Sequence, residues 1–553
     1  MRSPSDLDMS LAEQVAQMVV VRASGYLFDH QIQYPAWEAP AAKLRYLIED
    51  LGVGGVILLG GSAAEISLRS QQLQSWAKIP LLVAADIEEG VGQRFSGATW
   101  FPPPMALSAI ARQDPNLAQT YAAQMGAIVA QEALAIGINW VLAPIVDVNN
   151  NPDNPVINVR AFGETPDEVS RLATAFIEGA KAYPVLTAAK HFPGHGDTAT
   201  DSHLHLPVLP HCGARLAQIE LPPFQAAIAA GVDAVMSAHL LIPSWDAQYP
   251  ATLSRQILTQ QLRQQLNFEG LIVTDALIMG AIANRYGINE APVLAVEAGA
   301  DILLMPGDPE GAIQAVCAAV ESDRISPERI RASVERIWRA KSKVRVETRH
   351  VAPVETRHVA SVHRRDRDLT NQLAQPKAFA TVEQILQASQ IIRGVVPLQI
   401  ESAADGDLRN SIVVDDLLKC DFLSHQAPAI ALPTQLGYRT ELCDLQTMKA
   451  VSLDSERSTL LQLFVRGNPF RGSAGLTQAA YTLVKTLLTS GNLQALVVYG
   501  SPYLLEQLLT ALPPEITCVF SYGQMPVAQE IILSQLLGIS NFPSSARSFS
   551  RFC

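Results

Sequence analysis

Apolar positions in the first 340 or so residues follow two rhythms. Short runs rich in β-branched residues occur at 17–21, 55–59, 80–85, 139–142, 185–189, 233–237, 270–274 and 301–305. Runs of this length read as buried strands. Longer segments with helical periodicity separate them, at 41–51, 63–77, 116–136, 167–182, 213–230 and 255–266. The segment at 167 is introduced by Thr165 as N-cap and Pro166 in the first turn, with Asp167 and Glu168 at the positive end. Eight β/α alternations predict an α/β fold, a (β/α)8 TIM-type barrel. A doubly wound open sheet is the alternative that the same alternation allows.

The rhythm breaks after 345. VETRHVA occurs twice, at 346–352 and 354–360, and the basic run HRRDRD follows. This reads as a linker, residues 346–374, grown by local duplication, with His350 and His358 solvated. A second alternation then begins. Its strands are expected at 411–414, 461–465, 495–499 and 517–520, and its helices at 477–489 and 503–512. The expected organisation is a barrel over 1–345, the linker, and a smaller α/β sandwich domain over 375–553 with a poorly ordered tail. The turn Tyr499-Gly500-Ser501-Pro502 has one glycine and no phosphate fingerprint around it, so it reads as a strand-to-helix connection.

Composition narrows the function classes. A chain of 553 residues exceeds one ordinary hydrophobic core, in keeping with two domains. A net charge of −12 argues against non-specific nucleic-acid binding, which needs a basic face. The six cysteines are scattered and form no C-x-x-C pair, so neither a zinc framework nor a disulfide scaffold is expected. No stretch of about 18 apolar residues occurs, and the first residues do not resemble a secretion signal. A soluble, cytoplasmic, monomeric protein without membrane or nucleic-acid partners is the expectation.

The candidate chemistry sits at the strand ends, where barrels of this type carry their active sites. The third strand ends at Asp86, the fifth at Lys190 and His191, the sixth at His239 and the seventh at Asp275. A long loop after the fourth strand, 143–164, holds Asp147, Asn149 to Asn151 and Arg160. After the fifth strand the chain reads KHFPGHGDTATDSHLH, with glycines and a proline that permit an irregular backbone. Histidines 191, 195, 203, 205 and 211 crowd this segment beside Lys190, Asp197 and Asp201. Two explanations stay open on these residues. One is a metal site built on the His203-x-His205 pair. The other is a loop that binds sugar and transfers protons.

The stretch KHFPGHGDTATDSH resembles the corresponding loop of bacterial β-N-acetylhexosaminidases of glycoside hydrolase family 3. Further segments are similar along residues 9–340: DIEEGVGQR from Asp86, NPVINVRAFG from Asn154, SAH from Ser237, PATLS from Pro250, TDALIMG from Thr274 and AGADILLMPG from Ala298. The second domain resembles, more loosely, the C-terminal domain of longer members. The resemblance implies Asp275 as nucleophile, His203 as acid/base and Asp201 as the residue orienting it. It implies Asp86, Arg94, Arg160, Lys190 and His191 as the holders of an N-acetylglucosamine ring. It implies a carbohydrate substrate, with no metal and no cofactor. Glu89, Gly92, Ala161 and Ala276 depart from residues common in relatives, and none of these removes a catalytic group. Three rival functions accompany this reading: a β-glucosidase or other β-hexosidase of the same family, a metal-dependent amidohydrolase, and a non-catalytic sugar-binding protein.

Overall fold

Every run expected to be a barrel strand is one. The computed structural model describes residues 9–202, 205–344, 369, 371–400, 408–417, 420–444, 447, 457–466 and 478–539. Its first eight strands are β1 (Val19–Ser24), β2 (Gly55–Leu59), β3 (Leu82–Ala85), β4 (Trp140–Val141), β5 (Leu186–Phe192), β6 (Ala234–Ser237), β7 (Leu271–Val273) and β8 (Leu303–Leu304). They form one parallel sheet in the order β7-β6-β5-β4-β3-β2-β1-β8. A parallel bridge between Val273 and Ile302 joins the two ends and closes the barrel. This excludes the open doubly wound sheet. Asp301 secures the closure: its fully buried carboxylate receives Ile272 N at 3.0 Å and the guanidinium of Arg263 at 2.7 Å.

The strands are apolar on both faces because helices cover the outside and side chains fill the inside. Val19, Val20, Val56, Leu82, Val83, Ala188, Val235 and Ile272 are fully buried. The helix Pro166–Ala180 begins as expected, with Thr165 Oγ1 accepting from Glu168 N at 3.4 Å. One expected helix, 213–230, is two: Gly213–Gln218 and Leu221–Ala229. Pro222 and Pro223 cannot donate backbone hydrogen bonds to a helix running through them, so a new helix starts there. The segment expected as a helix at 255–266 is a π-helix, Gln256–Gln265.

The described chain divides by contacts into two compact units. The first is Met1–Phe101, Asn116–Asn150 and Ala161–Ala378; the second is Pro102–Pro115, Asn151–Arg160 and Phe379–Cys553. The second unit contains a six-stranded sheet in the order β11-β10-β12-β13-β14-β9. These strands are β9 (Ile391–Arg393), β10 (Leu408–Val413), β11 (Arg439–Cys443), β12 (Ser458–Val465), β13 (Leu493–Gly500) and β14 (Thr517–Ser521). All pairings are parallel except that of β9 with β14. Phe464 and Tyr499 stack at 4.1 Å in its core. Ser501 caps the helix Pro502–Ala511, so the Gly500-Ser501 turn is the expected connection. The duplicated VETRHVA stretch, most of the linker and the C-terminal tail lie outside the described residues.

Candidate active site

The site grows from the end of β5. The sequence pattern ended this strand before Lys190, but the structure carries it to Phe192. Pairing on both sides sustains it: Val146 N donates to Lys190 O at 2.8 Å and Ala238 N to Phe192 O at 2.7 Å. The register with β6 jumps from Lys190 opposite Met236 to Phe192 opposite Ser237. His191 is therefore an extra residue on this side, a bulge that re-aims the strand tip. All seven residues of β5 are buried. Three of them, Thr187, Lys190 and His191, are polar, and buried polar side chains must find partners; Thr187 has Asp233.

Lys190 finds carboxylates. Its Nζ lies 2.8 Å from Asp86 Oδ1 and 2.5 Å from Glu88 Oε1. The Lys190 and Glu88 side chains are almost fully enclosed, whereas 37% of the Asp86 side chain is accessible. The ammonium is thus fixed from the inner side, and Asp86 keeps surface for a ligand. Arg94 belongs to the same loop. Its Nε donates to Asp86 O at 3.1 Å, and the residue is exposed.

His191 finds Asp147, from the loop after β4. Asp147 Oδ2 lies 2.8 Å from His191 Nδ1, and the carboxylate also accepts the backbone N–H of His191 and, at 2.7 Å, that of His195. Burial alone would raise the Asp147 pKa. The attraction and hydrogen bond of His191, followed by those of His195, overcome this and hold it below the ordinary carboxylate value. An ionised Asp147 fixes the His191 tautomer with its proton on Nδ1. The fit between the two loops requires Gly196, where an added Cβ would lie 1.7 Å from Val148 O.

The same loop then runs through the D-S-H sequence. Asp201 and Ser202 are buried, and His203 lies outside the described residues. His195 Nε2 lies 3.1 Å from Ser202 Oγ, and its Nδ1 lies 2.8 Å from Thr198 Oγ1. Burial pushes the His195 ring down to about 4, partly opposed by the negative charges of Asp147 and Asp275. At its two ends the loop is tied by His211 Nε2, 2.8 Å from Asp197 Oδ2. Arg215 bridges Asp197 to Glu220. Burial raises the Glu220 carboxyl despite that arginine.

Asp275 stands half-buried just beyond β7, its Oδ1 accepting from Ala276 N at 2.7 Å. The following carbonyl is held by His239 at the end of β6, whose Nε2 lies 3.0 Å from Ala276 O. A carbonyl can only accept, so Nε2 donates to it, while Nδ1 faces Thr252 Oγ1 at 2.8 Å, a hydroxyl that also reaches Ala238 O at 2.9 Å. The barrel thus sets Asp275 on a turn fastened at both peptide groups.

Arg160 belongs to the second unit, at the end of the turn Asn158–Arg160, where its NH1 donates to Val156 O at 2.8 Å. Among the described residues, no group of three or more His, Cys, Asp or Glu is arranged to hold a metal ion. The structure joins Asp86 with Lys190 and ties Arg94 to Asp86. It also adds pairings that were not read from the sequence. Glu88 was hidden inside an acidic motif, and Asp147 lay in a loop with nothing in the spacing to link it to His191. The Ser202–His195 bond had no signal beyond the crowding of the loop.

This arrangement offers a fixed cation and carboxylates for polyol hydroxyls, a carboxylate at a strand tip, and a loop carrying a carboxylate beside a histidine. Comparison with known proteins shows the family of the chain. Residues 10–340 match the Glycosyl hydrolase family 3 N terminal domain, and residues 401–538 match the Bacterial Glycosyl hydrolase family 3 C-terminal domain. The chain is 32% identical over 426 residues to Beta-hexosaminidase A of Pseudoalteromonas piscicida, covering 70% of each chain. It is 31% identical over 311 residues to a Beta-N-acetylglucosaminidase/beta-glucosidase of Cellulomonas fimi, covering 54% of each. Its structure is similar to that of a family 3 β-N-acetylglucosaminidase from Paenibacillus sp. str. FPU-7, with a TM-score of 0.76, 30% identity and 98% of each chain covered. With both domains matched in order, the chain belongs to glycoside hydrolase family 3.

Proposed function

We propose that this chain is a retaining, exo-acting β-N-acetylglucosaminidase, working without metal or cofactor. The observation that carries the reading is the pairing of a strand-tip carboxylate, Asp275, with the Asp201-Ser202-His203 sequence on the loop that follows Lys190 and His191. In the first step the Asp275 carboxylate attacks the anomeric carbon, the glycosidic C–O bond breaks, and His203 gives its proton to the departing oxygen. A glycosyl ester on Asp275 results. In the second step His203 takes a proton from water, whose oxygen displaces Asp275 and restores the starting configuration. Asp201 orients the histidine, as the carboxylate of a triad does. A neutral imidazole carries no charge to repel the nucleophile.

Lys190 donates to a sugar hydroxyl, and Asp86 accepts from one or two. Arg94, His191 and Arg160 complete the set of sugar-binding residues. Terminal N-acetylglucosamine of peptidoglycan-derived muropeptides is the substrate class that the family resemblance supports, and a cytoplasmic address suits it. Among the described residues no helix is long and apolar enough to cross a membrane. The double name of the Cellulomonas fimi relative favours β-glucosidase as the second reading.

Hydrolysis of aryl β-N-acetylglucosaminide against aryl β-glucoside, each with and without chelator, tests these readings together. The expected result is strong preference for the first substrate and indifference to chelator. Preference for the glucoside supports the second reading. Loss of activity in chelator and its return with zinc would overturn the metal-free mechanism.

A further inference from the structure

We propose that His195 is a positioning residue for the acid/base loop: it ties Ser202, which stands between Asp201 and His203, to the beginning of the loop and, through Asp147, to the strand that carries Lys190 and His191. The inference rests on the reading of the Asp201-Ser202-His203 sequence given above. Its basis is a continuous chain of buried contacts. Asp147 Oδ1 accepts His195 N at 2.7 Å, His195 Nε2 meets Ser202 Oγ at 3.1 Å, and His195 Nδ1 meets Thr198 Oγ1 at 2.8 Å. Asp147, His195, Thr198, Asp201 and Ser202 are all at most 4% exposed.

The ring suits this task better than that of a proton donor. Both of its nitrogens already face hydroxyl groups within the loop. Burial keeps it neutral at neutral pH, its pKa lying at about 4, so it has no readily lost proton to give a leaving group. A neutral ring also keeps both bonds in either tautomer. With the proton on Nε2, the ring donates to Ser202 and accepts from Thr198. With the proton on Nδ1, it donates to Thr198, whose hydroxyl turns to His195 O at 3.2 Å, and accepts from Ser202. The tie therefore survives a proton shift on the ring. Because Asp147 grips His191 and His195 together, the sugar-holding strand and the proton-transfer loop share one anchor. Displacing that loop by about 1 Å would be felt as about a hundredfold loss of proton transfer.

The test uses the full chain and two substrates. One is the β-linked disaccharide of N-acetylglucosamine, whose leaving group needs a proton. The other is the dinitrophenyl β-N-acetylglucosaminide, whose leaving group does not. Ser202→Ala should lower kcat on the disaccharide by about tenfold with KM nearly unchanged. The pre-steady-state burst on the dinitrophenyl substrate should stay within about twofold of wild type. His195→Ala should lose more, and the double variant no more than His195→Ala alone. His195→Gln, whose amide reaches towards Ser202, should recover more activity than His195→Asn, whose amide does not. Equal losses on both substrates, a wild-type kcat in Ser202→Ala, or multiplying losses in the double variant would overturn the proposal while leaving the activity assignment intact. A wild-type chain that cleaves neither substrate would overturn both.

Discussion

Asp147 holds His191 and His195 on one carboxylate, at 2.8 Å from the ring of the first and 2.7 Å from the backbone nitrogen of the second. Burial and charge move two side chains of this network, His195 and Asp147, the same way. The His195 pKa falls from 6.5 to about 4, and that of Asp147 lies below 3.8. Between pH 6.5 and about 4 the unfolded chain binds a proton on His195 that the native chain refuses, so stability falls as pH is lowered through that window. A fall from 6.5 to about 4 corresponds to on the order of 3 kcal/mol. Below it, protonation of Asp147 removes a further contribution. The melting temperature should drop as the pH falls from 6.5 to 4, and His195→Gln should flatten that limb. An unchanged slope in the variant would place the acid sensitivity elsewhere.

The two catalytic assignments separate by leaving group. Asp275→Ala should abolish turnover of every glycoside, because the attack on carbon is needed whatever departs. His203→Ala should slow disaccharide cleavage far more than the glycosylation step of an aryl substrate. It should show a burst and a lowered KM as the second step becomes limiting. Azide, which needs no base, should accelerate that step and give a β-glycosyl azide. Equal losses on both substrates without a burst or azide rescue would move the acid/base role away from His203.

Lys190 stands between two carboxylates, so its removal differs from the loss of one hydrogen bond. Lys190→Met takes the cation away from Glu88, which is nearly enclosed, and from Asp86, which water still reaches, with an expected cost of about 3 kcal/mol, the low end for breaking a buried pair. Glu88→Gln is milder: the ammonium keeps Asp86 but loses its inner anchor. It should weaken N-acetylglucosamine binding by about tenfold, the lower end for a hydrogen bond to a charged group. Titration calorimetry with the free sugar reads this directly. Wild-type affinity in Glu88→Gln would mean that Asp86 alone fixes Lys190.

Gly196→Ala tests the seam between the β4 and β5 loops. The added Cβ has backbone within 1.7 Å, and backbone cannot swing aside as a side chain could. The loop must shift, with an expected loss of about a hundredfold in disaccharide hydrolysis. Far-UV circular dichroism should be unchanged, since the barrel strands do not depend on that residue. A fully active variant would show that the seam is not needed.

The barrel was legible because each of its strands is an apolar run bounded by turn residues, and Gly55–Leu59 was read to the residue. The strand β5 was cut short because Lys190 and His191 look like surface residues. The carboxylates that let them be buried come from Asp86, Glu88 and Asp147, all far away in sequence. The two strands missed in the second unit, β9 and β11, are sheet edges. Arg439–Cys443 is partly exposed and mixes charged with apolar residues, and Ile391–Arg393 spans three residues, so neither has the apolar run of a central strand. The partners of Asp147 and the Ser202–His195 bond depend on a bulge and on two loops meeting at Gly196, which no local pattern encodes.

The second unit is assembled from three stretches, Pro102–Pro115, Asn151–Arg160 and Phe379–Cys553. This sets an order of events during synthesis. The first two stretches leave the ribosome while most of their unit has yet to be translated, and folding of nascent chains proceeds from the N-terminus by whole domains. They must wait, and Arg160 waits with them. A chain cut in the linker would keep these two stretches but lack the partners that complete their unit. In this protein a stop codon after the barrel is therefore not equivalent to removing an appended domain.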